Sequence, residues 1–149
     1  MSIEKNIHQT SFRNDYQKAM VNIVFTSSWI QGQVKLFLKE FDLTSQQYNI
    51  LRILRGSKSP LSTFQIRDRM IDKMSDTSRL IERLIKKELV EKKISNIDKR
   101  MVEIVISEKG LTALAILDTK QAELDGIMDG LTPVEALTMN ALLDKLRGE

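Results

Sequence analysis

The residues best suited to chemistry fall in two short stretches. One holds Ser75, Asp76, Thr77, Arg79, Arg83 and Lys86; the other holds Lys92, Lys93, Asp98, Lys99 and Arg100. Guanidinium forks and ammonium point charges at this density recognise anions rather than transform them. Ser75, Asp76, Thr77 and Arg79 are small polar or fork-shaped groups of the kind that read base edges. Arg83 and Lys86 suit phosphates, which fix position but not sequence. Asp98 stands two residues before Arg100, a spacing at which a carboxylate can hold a guanidinium facing forward, as insertion into a narrow minor groove requires. Lys92, Lys93 and Lys99 add phosphate-directed charge to the same stretch. The plainer alternative is the solvated side of an amphipathic helix followed by a polar turn with a surface ion pair.

What is missing narrows the classes further. The 149 residues include no cysteine, which removes disulfides, thiolate metal sites and thiol redox chemistry. The single histidine, His8, lies in a polar N-terminal stretch, so multi-histidine metal sites and Ser-His-Asp hydrolysis lack their essential residue. There is no glycine-rich phosphate loop and no metal-ligand spacing. No apolar run approaches the ~18 residues of a membrane span, and the opening MSIEKNIHQTSFRND holds no apolar stretch of signal-peptide length. The expectation is a soluble cytoplasmic protein that is not an enzyme and carries no cofactor or metal. The net charge of +3 hides an asymmetry: residues 1–59 carry +4, residues 60–110 carry +3 and residues 111–149 carry −4. A basic body favours a polyanionic partner, with the acidic tail turned elsewhere.

The elements that must position these residues are marked by caps and periodicity. Tyr16, Met20, Ile23, Ser27, Ile30, Val34, Phe37 and Phe41 recur at alternating four- and three-residue steps, one face of a helix of about 39 Å. That exceeds what a small domain covers on one side, so part of the stripe is expected to meet another subunit; a coiled-coil segment would show the same pattern. Thr44 with Gln47 forms a capping box for a helix burying Tyr48, Leu51 and Leu54 and ending at Gly56. Ser62 or Thr63 caps a short helix with apolar positions Phe64, Ile66 and Met70. A helix from about Ser75 to Lys87 turns Leu80, Ile81 and Leu84 inward. The period then changes to two over Val90–Ile94 and Met101–Ile106, which reads as two strands with a polar tip at residues 95–100. Ser107 caps a helix through Leu111, Leu114, Leu117 and Leu124, and Thr132-Pro133-Val134-Glu135 opens the last helix.

Helix, helix, helix and hairpin in that order is a winged helix-turn-helix. The predicted fold is mainly α with a small β-hairpin wing, a single domain over 1–149. Residues 43–106 form the winged region, and helices in 11–41 and 107–149 flank it.

The stretch Leu43-Thr44 through Gln47-Tyr48 to Leu51 resembles the multiple antibiotic resistance regulator (MarR) family. So do the run Arg79-Leu80-Ile81-Glu82-Arg83-Leu84 continuing to Lys92, and Asp98-Lys99-Arg100 followed by Val105-Ile106-Ser107-Glu108-Lys109-Gly110. The resemblance covers nearly the whole chain, and the Asp-x-Arg wing leading into Glu-Lys-Gly is its most specific part. It implies a homodimeric transcriptional regulator, acting as a repressor, whose terminal helices form the dimer interface and whose two winged lobes bind the halves of a pseudo-palindromic duplex DNA. It also implies release by a small aromatic or anionic effector between the two regions, with Trp29, Phe37, Tyr48 and Phe64 as candidate lining. Two departures stand out. Glu88 follows the helix from about Ser75 to Lys87, which the resemblance makes the DNA-recognition helix, at a place where the family usually has glycine; with no cysteine the peroxide-sensing branch is excluded. The competing expectation is a winged-helix module that docks another protein and binds no DNA specifically.

Overall fold

The computed structural model describes residues 2–94 and 102–148. A one-turn helix α1 (Ile3–Asn6) precedes the long α2 (Asp15–Lys39), and Lys18 pairs with Glu4 at 2.6 Å across them. There follow α3 (Ser45–Gly56), β1 (Leu61–Ser62), α4 (Thr63–Arg69), α5 (Thr77–Lys86), β2 (Val90–Ile94) and β3 (Val102–Ile106). The chain closes with α6 (Glu108–Thr119), α7 (Gln121–Asp125), a 3-10 turn over Gly126–Met128, and α8 (Pro133–Arg147).

The helix starts are set by side chains that take up N–H groups a helix leaves without partners. Thr44 and Gln47 close a capping box on α3, Ser62 and Gln65 one on α4, and Thr132 and Glu135 one on α8 behind Pro133. Asn14 caps α2, Asp76 caps α5 and Ser107 caps α6. The core joins α3, α4, α5, the sheet and α6 through Ile50, Leu51, Ile66, Ile81, Leu84, Ile104, Leu114 and Leu117; Leu38 anchors α2 to it.

Four details differ from the sequence expectation. The sheet has three strands in the order β1-β3-β2, because Leu61 pairs with Ile104 and Ser62 with Glu103 before Ser62 turns to cap α4. Phe64 is 76% exposed while Ile66 and Met70 are buried, since a step of two residues turns a helix by about 200°. α5 begins at Thr77, with Asp76 spent as its cap. The helix drawn from Ser107 through Leu124 breaks at Lys120, whose backbone leaves helical geometry while its ammonium pairs with Glu40 at 2.6 Å.

The long stripe of α2 divides in two. Ile30, Val34, Phe37, Leu38 and Phe41 are at least half-buried, whereas Tyr16, Met20, Ile23 and Val24 lie open, as do Val134, Leu137, Leu142 and Leu146 on α8. Among the described residues no helix is long and apolar enough to cross a membrane.

Candidate nucleic-acid interface

α5 buries Ile81 and Leu84 and turns Ser78, Arg79, Glu82, Arg83 and Lys86 outward. Asp76 is exposed at its head, its carboxylate accepting the Arg79 N–H at 3.1 Å, so it serves the helix before any ligand. Thr77, read from sequence as outward, is 3% exposed. It continues the inward stripe to Ile81 and Leu84 by steps of four and three, a spacing that already marked it as a core position. The Ser75 hydroxyl is likewise enclosed. The surface α5 offers is therefore Ser78, Arg79, Glu82, Arg83 and Lys86. Ser78 and, two residues before the cap, the 94%-exposed Met74 lie open here and were not among the residues read from the sequence.

The hairpin pairs Val90 with Ile106, Lys92 with Ile104 and Ile94 with Val102. Val90 and Ile104 are buried, and from Glu91 to Ile94 the strand is exposed, so Lys92 and Lys93 stand free of the body on the same lobe as α5. The expected tip residues Asp98, Lys99 and Arg100 lie outside the described residues.

The joint between α5 and the hairpin is sharply built. The Leu89 N–H reaches the Leu84 carbonyl at 3.0 Å and the Glu88 N–H reaches that of Ile85 at 2.9 Å. This Schellman closure places Glu88 in the left-handed region at φ 61°. The Ser107 hydroxyl donates to the Glu88 carbonyl at 2.7 Å, and Lys109 pairs with the Glu88 carboxylate at 3.0 Å. Gly110 completes the joint: an added Cβ would stand 2.3 Å from the Leu89 carbonyl oxygen. Away from the joint, Arg55 grips Asp118 through two bonds of 2.6 and 3.1 Å, tying α3 to α6. That guanidinium holds the Asp118 carboxyl below its ordinary value, and the carboxylate in turn raises Arg55.

The four aromatics proposed as an effector lining are not brought together. Phe37 stacks toward Phe41 at 5.7 Å between centroids, Trp29 is about half exposed on α2, and Phe64 faces solvent on α4. Tyr48 alone of the four lines a cleft of about 530 Å³ between α2, α3 and the α4–α5 turn, walled by Ile30, Val34, Arg52, Met70 and Leu124. Arg52 donates to the Tyr48 hydroxyl at 3.2 Å and lies 5.7 Å from its ring centre.

The family described as transcriptional regulator SarA/Rot matches residues 33–116, more than half of the chain. The chain belongs to the SarA/Rot family of transcriptional regulators. The match runs from the buried half of α2 through the winged lobe and most of α6. No protein among the curated sequences matches. Solved structures share the fold at low identity. A mutant MarR from E. coli complexed with operator DNA is 19% identical with a TM-score of 0.79, over 92% of this chain and 99% of that one. S. aureus MepR in a DNA complex is 20% identical with a TM-score of 0.73, over 93% and 98%. The organohalide-sensing regulator RdhR-CbdbA1625, bound to 2,4-dichlorophenol, is 22% identical with a TM-score of 0.80, over 94% and 86%. This SarA/Rot member is thus a MarR-like winged-helix transcription regulator rather than an enzyme.

Proposed function

We propose that the protein is a cytoplasmic homodimer that binds a pseudo-palindromic duplex operator and represses transcription from it. The observation carrying this reading is the outward face of α5, where Arg79 and Arg83 stand clear of a buried Ile81 and Leu84 beside a hairpin with exposed Lys92 and Lys93. Arg79, near the head of the helix, reads base edges; Arg83 and Lys92 meet the backbone, and Lys99 and Arg100, on the sequence reading, the backbone and minor groove. The open apolar ends of α2 and α8 supply the surface for a second copy, since exposed Tyr16, Met20, Leu137 and Leu142 gain by mutual burial. The operator and DNA complexes of the E. coli and S. aureus relatives support the duplex as partner. The dichlorophenol complex of a third supports a small aromatic effector, for which the Tyr48 cleft is the candidate seat.

Selection of bound duplexes from random DNA tests this directly. The expected product is a two-fold symmetric site with half-sites about 34–36 Å apart and an affinity falling steeply with salt. Recovery of no preferred sequence, or of a single asymmetric half-site bound by a monomer, refutes it. The protein-docking alternative draws on the exposed Phe64, Ile71 and Met74 of the same lobe. It is favoured by a flat salt response with no retardation of duplex fragments.

A further inference from the structure

A second hollow, of about 1080 Å³, lies between the C-terminal half of α2 and the last turn of α5. It shares only Gln31, Ser45 and Gln46 with the Tyr48 cleft, so the first turn of α3 separates the two. Its walls carry Lys35 and Lys39 from α2, Arg83 and Lys86 from α5 and Lys87 at its C-cap, against one carboxylate, Asp42. Lys87 is already engaged, bonding the Asp42 carboxylate at 2.9 Å and its carbonyl. Lys35, Lys39, Arg83 and Lys86 have no acidic or hydrogen-bonding partner among the described residues.

The floor of the hollow is the start of α3. Its capping box satisfies the Gln47 and Thr44 N–H groups at 3.1 Å each, which leaves those of Ser45 and Gln46 without a protein acceptor among the described residues. Four exposed cations from two helices line one concave space beside N–H groups that have no protein acceptor among the described residues, a concentration of positive charge that favours an anion there. One carboxylate would leave most of that charge uncompensated. An anion with three or four charges matches it, and ammonium groups that act as point charges beside an arginine fork suit phosphate oxygens.

We propose that this hollow is a regulatory site for a small phosphate-bearing polyanion, held by Lys35, Lys39, Arg83, Lys86 and the first-turn N–H groups of α3. The binding step stands apart from the operator reading; only its regulatory consequence rests on it. Because Arg83 belongs both to the hollow and to the outward face of α5, an anion seated here draws it from the duplex and lowers operator affinity.

The test titrates inorganic triphosphate into the full chain at fixed ionic strength, by calorimetry and by the fluorescence of Trp29, the only tryptophan, three residues before Gly32 on the wall. Saturable binding at one site per chain is expected, weakened at least about tenfold by Lys35→Glu with Lys39→Glu. Gly32→Glu is a second variant that is safe for folding, because a side chain there meets nothing within 4 Å; it should weaken binding by introducing an opposing charge. Unsaturable binding, or equal affinity in parent and both variants, overturns the proposal. Citrate binding as tightly as triphosphate overturns the phosphate assignment. A loss of duplex affinity in the Lys35/Lys39 variant without triphosphate overturns it too, because those cations then belong to a DNA track. If the parent protein selects no duplex at all, the operator reading fails while the triphosphate titration still decides this one.

Discussion

Glu88→Gly should make the protein more stable, against the usual expectation for removing an ion-paired side chain. At φ 61° Glu88 occupies the left-handed region, imposed by the Schellman bonds from Leu89 to Leu84 and from Glu88 to Ile85. That conformation costs an L-residue about 1–2 kcal/mol, and glycine's extra freedom in the unfolded chain returns about 0.5–1 kcal/mol of the gain. The pair with Lys109 contributes little, because its side chains are 80% and 60% exposed. The net is a gain of about 0–1.5 kcal/mol, a rise in Tm of up to about 6 °C for a chain of this size. Glu88→Ala separates the two terms, since it removes the ion pair and keeps the backbone strain, so it should leave stability unchanged or slightly lower. Thermal melts and urea titrations of the three proteins, at fixed protein concentration and at low and high salt, report the difference. Should the glycine variant be no more stable than the alanine variant, Glu88 is not strained and the account of the joint is wrong.

Gly110→Ala should cost about 1–3 kcal/mol or more, read as a lower urea midpoint, because its Cβ would lie 2.3 Å from the Leu89 carbonyl oxygen and 2.7 Å from Ile106 Cγ1. Arg79→Ala should weaken binding to a selected operator by about 1–3 kcal/mol and relax base preference at one position. Thr77→Ala, at a buried site, should lower the Tm without altering that preference. The Asp118 carboxyl sits below its ordinary value beside Arg55, so its contribution is complete above the unfolded carboxylate pKa and is lost as pH falls through the folded one. Melts below about pH 4 should therefore show the parent protein losing stability more steeply with acid than Asp118→Asn.

What could be read in the sequence was what local chemistry decides. The caps at Thr44, Ser107 and Thr132 need only a hydroxyl and a helix behind it, and each stands where its spelling placed it; of Ser62 and Thr63, the structure uses Ser62. Glu88 was marked only by the family resemblance, which has glycine at that place; its left-handed backbone is the structure's finding. β1 was not legible: two residues make a strand only because β3, some forty residues later, offers them an edge. The effector lining failed for a related reason. Side-chain type says that Trp29, Phe37, Tyr48 and Phe64 are aromatic, but only packing says that Phe37 spends its ring on Phe41 and that Phe64 faces outward.

The two ends of α5 are held to different standards, and that asymmetry explains how a winged lobe is aimed. Its head has one cap, Asp76, and an exposed approach through residues 71–74. Its tail is fixed three times over, by the Schellman closure, by the Ser107–Glu88 bond and by Lys87 on Asp42, which is itself left-handed at φ 52°. A ten-residue helix is about 15 Å long, so a turn of 10° about a fixed tail swings its head by roughly 2.6 Å. That is enough to lift Arg79 out of hydrogen-bonding range of a base edge. On the proposed reading, an anion in the hollow between α2 and the tail of α5 would act at this pivot, and Arg79, near the far end, would move most.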